Sequence, residues 1–176
     1  MKTAITLLLI VPLAAAGLFA RGPQGPQGKI DNLTLSNLPS FLKTFNADVN
    51  QVNEVFEHLA RAPMPMFDAK GQTLGRRKIK DRQQTVVDLK KTLDDFERRP
   101  DNLVVTMTLS AQTEELADEL YDLTEIAYDN DQEETALDLT RLLGDFNDDA
   151  GLIQAYALNL AAEKEGKLSR LEKGGS

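Results

Sequence analysis

The sequence predicts an all-α protein, an antiparallel up-down-up-down four-helix bundle with a long loop between helices 1 and 2. Three observations predict it. First, residues 131–161 place apolar or small side chains at Ala136, Leu139, Leu143, Phe146, Ala150, Ile153, Ala157 and Leu160. Those steps alternate three and four, so one stripe runs along a helix of roughly 30 residues and about 45 Å, which other helices must cover. Second, three earlier stretches carry stripes of matching period. Third, Leu, Ala, Glu, Asp and Lys dominate the composition, and strand formers are scarce outside one short run.

Residues 1–20 read as an export signal. Lys2 supplies a positive start, residues 5–11 an apolar centre, and Ala14 and Ala16 the small residues of a cleavage site after Ala16. The alternative is an uncleaved anchor, because residues 3–20 are just long enough to span a bilayer. Residues 21–28, RGPQGPQG, set glycine at every third position. Two such triplets cannot nucleate a triple helix, so residues 21–37 are expected to be a flexible, extended linker. The bundle domain is expected over 38–171 and a disordered tail over 172–176.

Helix 1 is predicted from Leu38, with Ser36 or Asn37 as its cap and Pro39 tolerated in the first turn. Leu38, Leu42, Phe45, Val49, Val52, Phe56 and Leu59 form its stripe. Phe41 and Val55 widen that stripe beyond a two-strand seam and favour a bundle. Residues 62–75 form the long loop, broken by Pro63 and Pro65 and turning near Asp68 to Gly71. Loops of this length are often functional, which makes this the first place to look for a site.

Helix 2 is predicted over 77–98, with Ile79, Val86, Leu89, Leu93 and Phe96 inward and Gln83 in a core slot. The run LVVTMTL at 103–109 is rich in β-branched residues, yet no second strand exists to pair with it. It is read as the start of helix 3, which continues to Tyr128 through Leu109, Thr113, Leu116, Leu120, Leu123 and Ala127. A break near Ser110 is the alternative. Asp131 and Glu134 fit a capping box that opens helix 4. Gly144 and Gly151 inside helix 4 are read as points of close packing or a mild bend.

Composition removes several chemistries. The chain has no cysteine and one histidine, so disulfides, thiolate metal sites, a cysteine nucleophile and a multi-histidine centre are excluded within one chain. No Gly-rich phosphate loop or serine–histidine–acid arrangement appears. The net charge of −8 is unevenly placed: residues 101–150 hold fifteen acids and one base, residues 61–100 eleven bases and six acids. An acidic half of this kind should repel nucleic acid and anionic membranes.

Four constellations remain. Asp145, Asn147 and Asp149 copy the first ligands of a calcium loop, but Gly151 comes one residue late and Tyr156 replaces the closing glutamate. Glu114, Glu115, Asp118, Glu119, Asp122 and Glu125 form an acidic set without the Glu-x-x-His of a di-iron bundle. His58, Met64 and Met66 suit copper(I) in an exported protein, and His58 with Met107 would be an axial pair for non-covalent haem. Arg76, Arg77, Lys78, Lys80 and Arg82 crowd the start of helix 2, where cations oppose the helix dipole. A negatively charged partner would relieve them, either this chain's own acidic hairpin or an external ligand such as phosphate, an anionic glycan or nucleic acid.

The expectation is an exported acidic helical bundle with a binding or structural role in the cell envelope or extracellular space. It needs no cofactor, catalyses nothing, avoids nucleic acid, and meets a membrane only if its leader stays attached. A copper or divalent-cation carrier and a membrane-anchored interaction domain are the alternatives.

Overall fold

The computed structural model describes residues 30–61 and 66–174. The expected leader, most of the linker, Met64 and the last two residues lie outside them. The fold is all-helical, with α1 (Leu38–Arg61), α2 (Arg76–Arg98), α3 (Leu103–Asp129) and α4 (Glu133–Gly174). Among the described residues the sole β pairing is an isolated bridge between Phe67 and Thr73. Each helix packs on its neighbours in the chain, and α4 also touches α1, as a bundle requires. No helix among the described residues is long and apolar enough to cross a membrane.

One core runs through all four helices. Phe45 and Phe56 enter it from α1, Leu89 and Phe96 from α2, Leu116 and Leu120 from α3, and Phe146 and Ile153 from α4. Phe45 stacks on Phe41 at 5.5 Å and meets Phe146 at 5.4 Å, which ties α1 to α4. Phe96 meets Tyr156 edge-on at 5.8 Å. The Tyr156 hydroxyl donates to the Pro100 carbonyl at 3.1 Å, so α4 also holds the α2–α3 turn. The core begins before the first helix, because Leu33 is buried and Ile30 packs against it.

Local chemistry explains the helix ends. Asn37 precedes α1, but its side chain turns back, accepting from the Thr34 amide and donating to the Asn32 carbonyl. It therefore orders the lead-in instead of satisfying the first helical amides. The β-branched run at 103–109 is helical because Asn102 accepts from the amides of Val104 and Val105. The helix continues unbroken through Ser110. Thr113 and Thr124 occupy core slots at no polar cost, since each hydroxyl donates to the carbonyl four residues back.

Three expectations for α4 need correction. The capping box is absent: Asp131 has φ 56° and lies in the turn, and the Gln132 carbonyl accepts the first helical bond from Ala136. Gln132 donates back to Ala127 and Asp131 to Tyr128, the paired bonds of a Schellman ending for α3. The buried leucine is Leu142 at 2 % exposure, with Leu143 half-buried. An α-helix repeats every 3.6 residues and drifts off a strict seven-residue count. Finally, Gly144 and Gly151 are not contact points, because a Cβ added at either meets nothing within 4 Å.

With 42 residues α4 is about 63 Å long, against about 40 Å for the 27 residues of α3. The excess lies at its C-terminal end. Leu160 is still buried, whereas Leu168 and Leu171 are 62 % and 74 % exposed.

Candidate functional site

The connection before α2 is built from its own residues. Leu74 donates to the Met66 carbonyl at 2.7 Å and Asp68 to that of Gln72 at 2.9 Å, which folds 66–74 into a small hairpin. Gly71, at φ 70°, supplies the left-handed residue of its turn. Asp68 Oδ1 accepts from the amides of Gln72 and Lys70. These bonds, that from Gln72 first, together with Lys78 hold its carboxyl below the usual value. Met66 and Leu74 are buried and plug the core beneath.

A second clamp comes from far along the chain. The Asn130 side-chain amide accepts from the Phe67 N–H and donates to the Phe67 carbonyl, both at 2.9 Å. It also donates to the Ile126 carbonyl at 2.7 Å. Asn130 thus pairs with Phe67 as a neighbouring strand would and joins the hairpin to the α3–α4 turn.

The five cations at the start of α2 separate into distinct environments. Lys78 Nζ donates to Asp68 Oδ2 at 3.0 Å. Arg82, mostly buried, donates to the Glu119 carbonyl at 2.7 Å and faces Asp122 at 3.5 Å. Both therefore bind internally. Arg77 and Lys80 are exposed and have no ion pair among the described residues. Arg76 is the first helical residue, and its side chain lies outside the described part. The helix start itself is bare, since Gly75 in the cap position offers no side-chain acceptor.

Lys80 borders a groove of ≈ 480 Å³ lined also by Glu57, Ala60, Arg61 and Gln83. Within it Glu57 accepts from Arg61 at 2.8 Å and from Asn53 at 3.1 Å. On the opposite flank of α2, Thr85 donates to Glu119 Oε1 at 3.2 Å. The other Glu119 oxygen is buried with no hydrogen bond. Burial pushes the Glu119 carboxyl up, and the charge of Arg82 opposes this only in part.

The remaining candidates are scattered. His58 is exposed on α1 while Met66 is buried in the core. Met107 is exposed near the start of α3, about 35 Å of helix from Asn130, which holds the loop following His58. Asp145, Asn147 and Asp149 lie on the continuous helix α4, which has no loop there to wrap a cation. Among the described residues no three His, Asp or Glu side chains converge as a metal site. Sequence reasoning missed Asn130 and the groove residues Glu57 and Gln83. A lone asparagine in a turn carries no sign that its partner is 63 residues away.

Comparison with known protein families, curated proteins and solved structures gives no match.

Proposed function

We propose that this is an exported bundle of up-down-up-down order that holds another envelope or extracellular protein and performs no catalysis. Two sets of cross-helix bonds support the helix order. Arg82 and Thr85 of α2 reach Glu119 and Asp122 of α3, and Gln154 of α4 reaches Glu114 of α3. Arg82 and Glu119 lie equally far from the α2–α3 turn, and Glu114 and Gln154 lie far from the α3–α4 turn on either side of it, as in antiparallel hairpins. The sequence of residues 1–20 supports export.

The observation that carries the binding role is the division among the basic residues of α2. Internal acids neutralise Lys78 and Arg82, and leave Arg77 and Lys80 facing solvent. From residue 57 to 82 the chain has seven bases and three acids, a formal +4 within a molecule of −8. A cationic patch on an acidic protein, next to a groove and a bare helix start, favours an acidic protein surface.

The test uses the protein and its Arg77→Glu/Lys80→Glu variant as baits for an envelope fraction. The same protein should be retained by the wild type and lost by the variant, with both baits melting at the same temperature. Equal retention by both overturns the proposal. A lowered melting temperature assigns the two bases to internal stabilisation. Cleavage after Ala16 is read from the N-terminus of the exported protein.

A further inference from the structure

The side of α4 that faces away from the core has no covering within the bundle. Leu137, Gly144, Gly151 and Leu158 recur on it at every seventh position, with Ala155 and Ala162 between, and all six are exposed. The two leucines are 57 % and 66 % exposed. Leu139, Phe146, Ile153 and Leu160, also seven apart, enter the core from the opposite side of the same helix. α4 packs on α1 and α3 through that inner side. The outer side is therefore open along its whole length.

Charge is polarised along this helix. Residues 133–149 hold six acids and one base, residues 150–162 no charged side chain, and residues 164–173 four bases and two acids. The helix dipole favours such an order only within the first and last turns, whereas the acids continue to Asp149. In the basic tail Lys167 is held by Glu163. Lys164, Arg170 and Lys173 have no ion pair among the described residues. Two such helices laid antiparallel set base against acid at both ends and uncharged middle against uncharged middle. Laid parallel, they set like charge against like.

We propose that the outer side of α4 docks a second copy of this chain, in an antiparallel two-fold dimer whose axis passes near Ala155. This surface is separate from Arg77 and Lys80 and does not depend on their role. With the axis there, Leu158 of each copy lies over Gly151 of the other, where no side chain stands in its way. The basic tail beyond Ala162 then runs along the acidic start of the other copy's α4, and opposite charge meets twice. The docking side points away from its own core, so the two bundles lie on opposite sides of the α4 pair and the contact closes. Contact over residues 136–173 is about 55 Å long and about 10 Å wide, or about 1,100 Å² counted on both copies. That is below the size of a standard stable interface, so the dimer is a weak one.

Sedimentation velocity of the purified protein tests this at up to about 500 µM, where complexes weaker than micromolar are populated. In about 0.15 M salt, with a screening length near 8 Å, a dimer should grow with concentration. Leu158→Glu should be monomeric with unchanged helicity, since Leu158 takes no part in the core. Arg170→Glu/Lys173→Glu should raise the dimer Kd at least tenfold. The chain has no cysteine, so single cysteines report the register. On oxidation Ala155→Cys should link to its own copy across the axis. Ser169→Cys should not link to itself and should link to Thr140→Cys when the two are mixed. Monomeric wild type overturns the proposal. So does a dimer that survives Leu158→Glu, one whose Kd ignores the reversed tail charges, or one in which Ser169→Cys links to itself. None of these changes touches Arg77 or Lys80, so retention of an envelope protein is read independently of the dimer.

Discussion

Asp131 holds the left-handed position of the α3–α4 turn, which an L-residue occupies at a cost that glycine avoids. Asp131→Gly should therefore stabilise the protein by about 0.5–1 kcal/mol. Thermal melts should show a rise of about 1–4 °C for a domain of this size. The neighbouring Asn130 behaves oppositely. Asn130→Ala removes two bonds to Phe67 and one to Ile126, and should cost about 1–2 kcal/mol. Hydrogen exchange at the Phe67 amide should quicken while the amides of α1 keep their protection. Both residues show where local reading stops. Asp131 and Glu134 have the spacing of a capping box, and the same aspartate serves equally well in a left-handed turn. What decides is the path of α3, which the spacing does not contain.

The helices were largely legible as elements because burial of a stripe is a periodic demand. The stripes of α1, α2 and α3 bury the residues their spacing selects except Leu59 and Gln83, which are half-buried, and even the β-branched start of α3 is helical once Asn102 caps it. The stripe of α4 was read with a period of 3.5, and the structure moves its second leucine from Leu143 to Leu142. Its glycines give the clearest prediction at this scale. Nothing lies within 4 Å of a Cβ at Gly144 or Gly151, so Gly144→Ala and Gly151→Ala should each gain about 1 kcal/mol. Additive gains in a denaturant titration with an unchanged slope would confirm it. A loss at either site would mean that the glycine contributes something besides helix propensity.

The charge distribution belongs to the whole molecule, and sequence reading recovered its halves but not its pairings. The counts of acids and bases separated a basic 61–100 from an acidic 101–150. They could not say that Lys78 is held by Asp68 and Arg82 by Glu119 and Asp122, since those contacts depend on how the helices pack. The packing also sets a pH response. The Glu119 carboxyl is raised above its ordinary 4.5, so the folded protein binds more protons than the unfolded chain just above that pH. Its penalty on stability is therefore absent below 4.5 and grows as pH rises through the raised value. Glu119→Gln should raise the melting temperature at pH 7 and leave it unchanged near pH 4. The gain should be at most about 1 kcal/mol, because solvent screens a half-exposed group. An equal gain at both pH values would trace the effect to packing.

The unaccompanied end of α4 has a hydrodynamic consequence. A compact chain of this length would have a radius of gyration near 16 Å. A rod extending from one end of the bundle puts mass far from the centre and makes the molecule an off-centre rotor, with slow end-over-end and faster axial tumbling. Deleting residues 165–176 should shrink the radius seen by small-angle scattering by more than the lost mass explains. The melting temperature should hold, since Leu168 and Leu171 touch little of the core. Anything fused at the C-terminus would be carried as on a lever, clear of the bundle and turning with it.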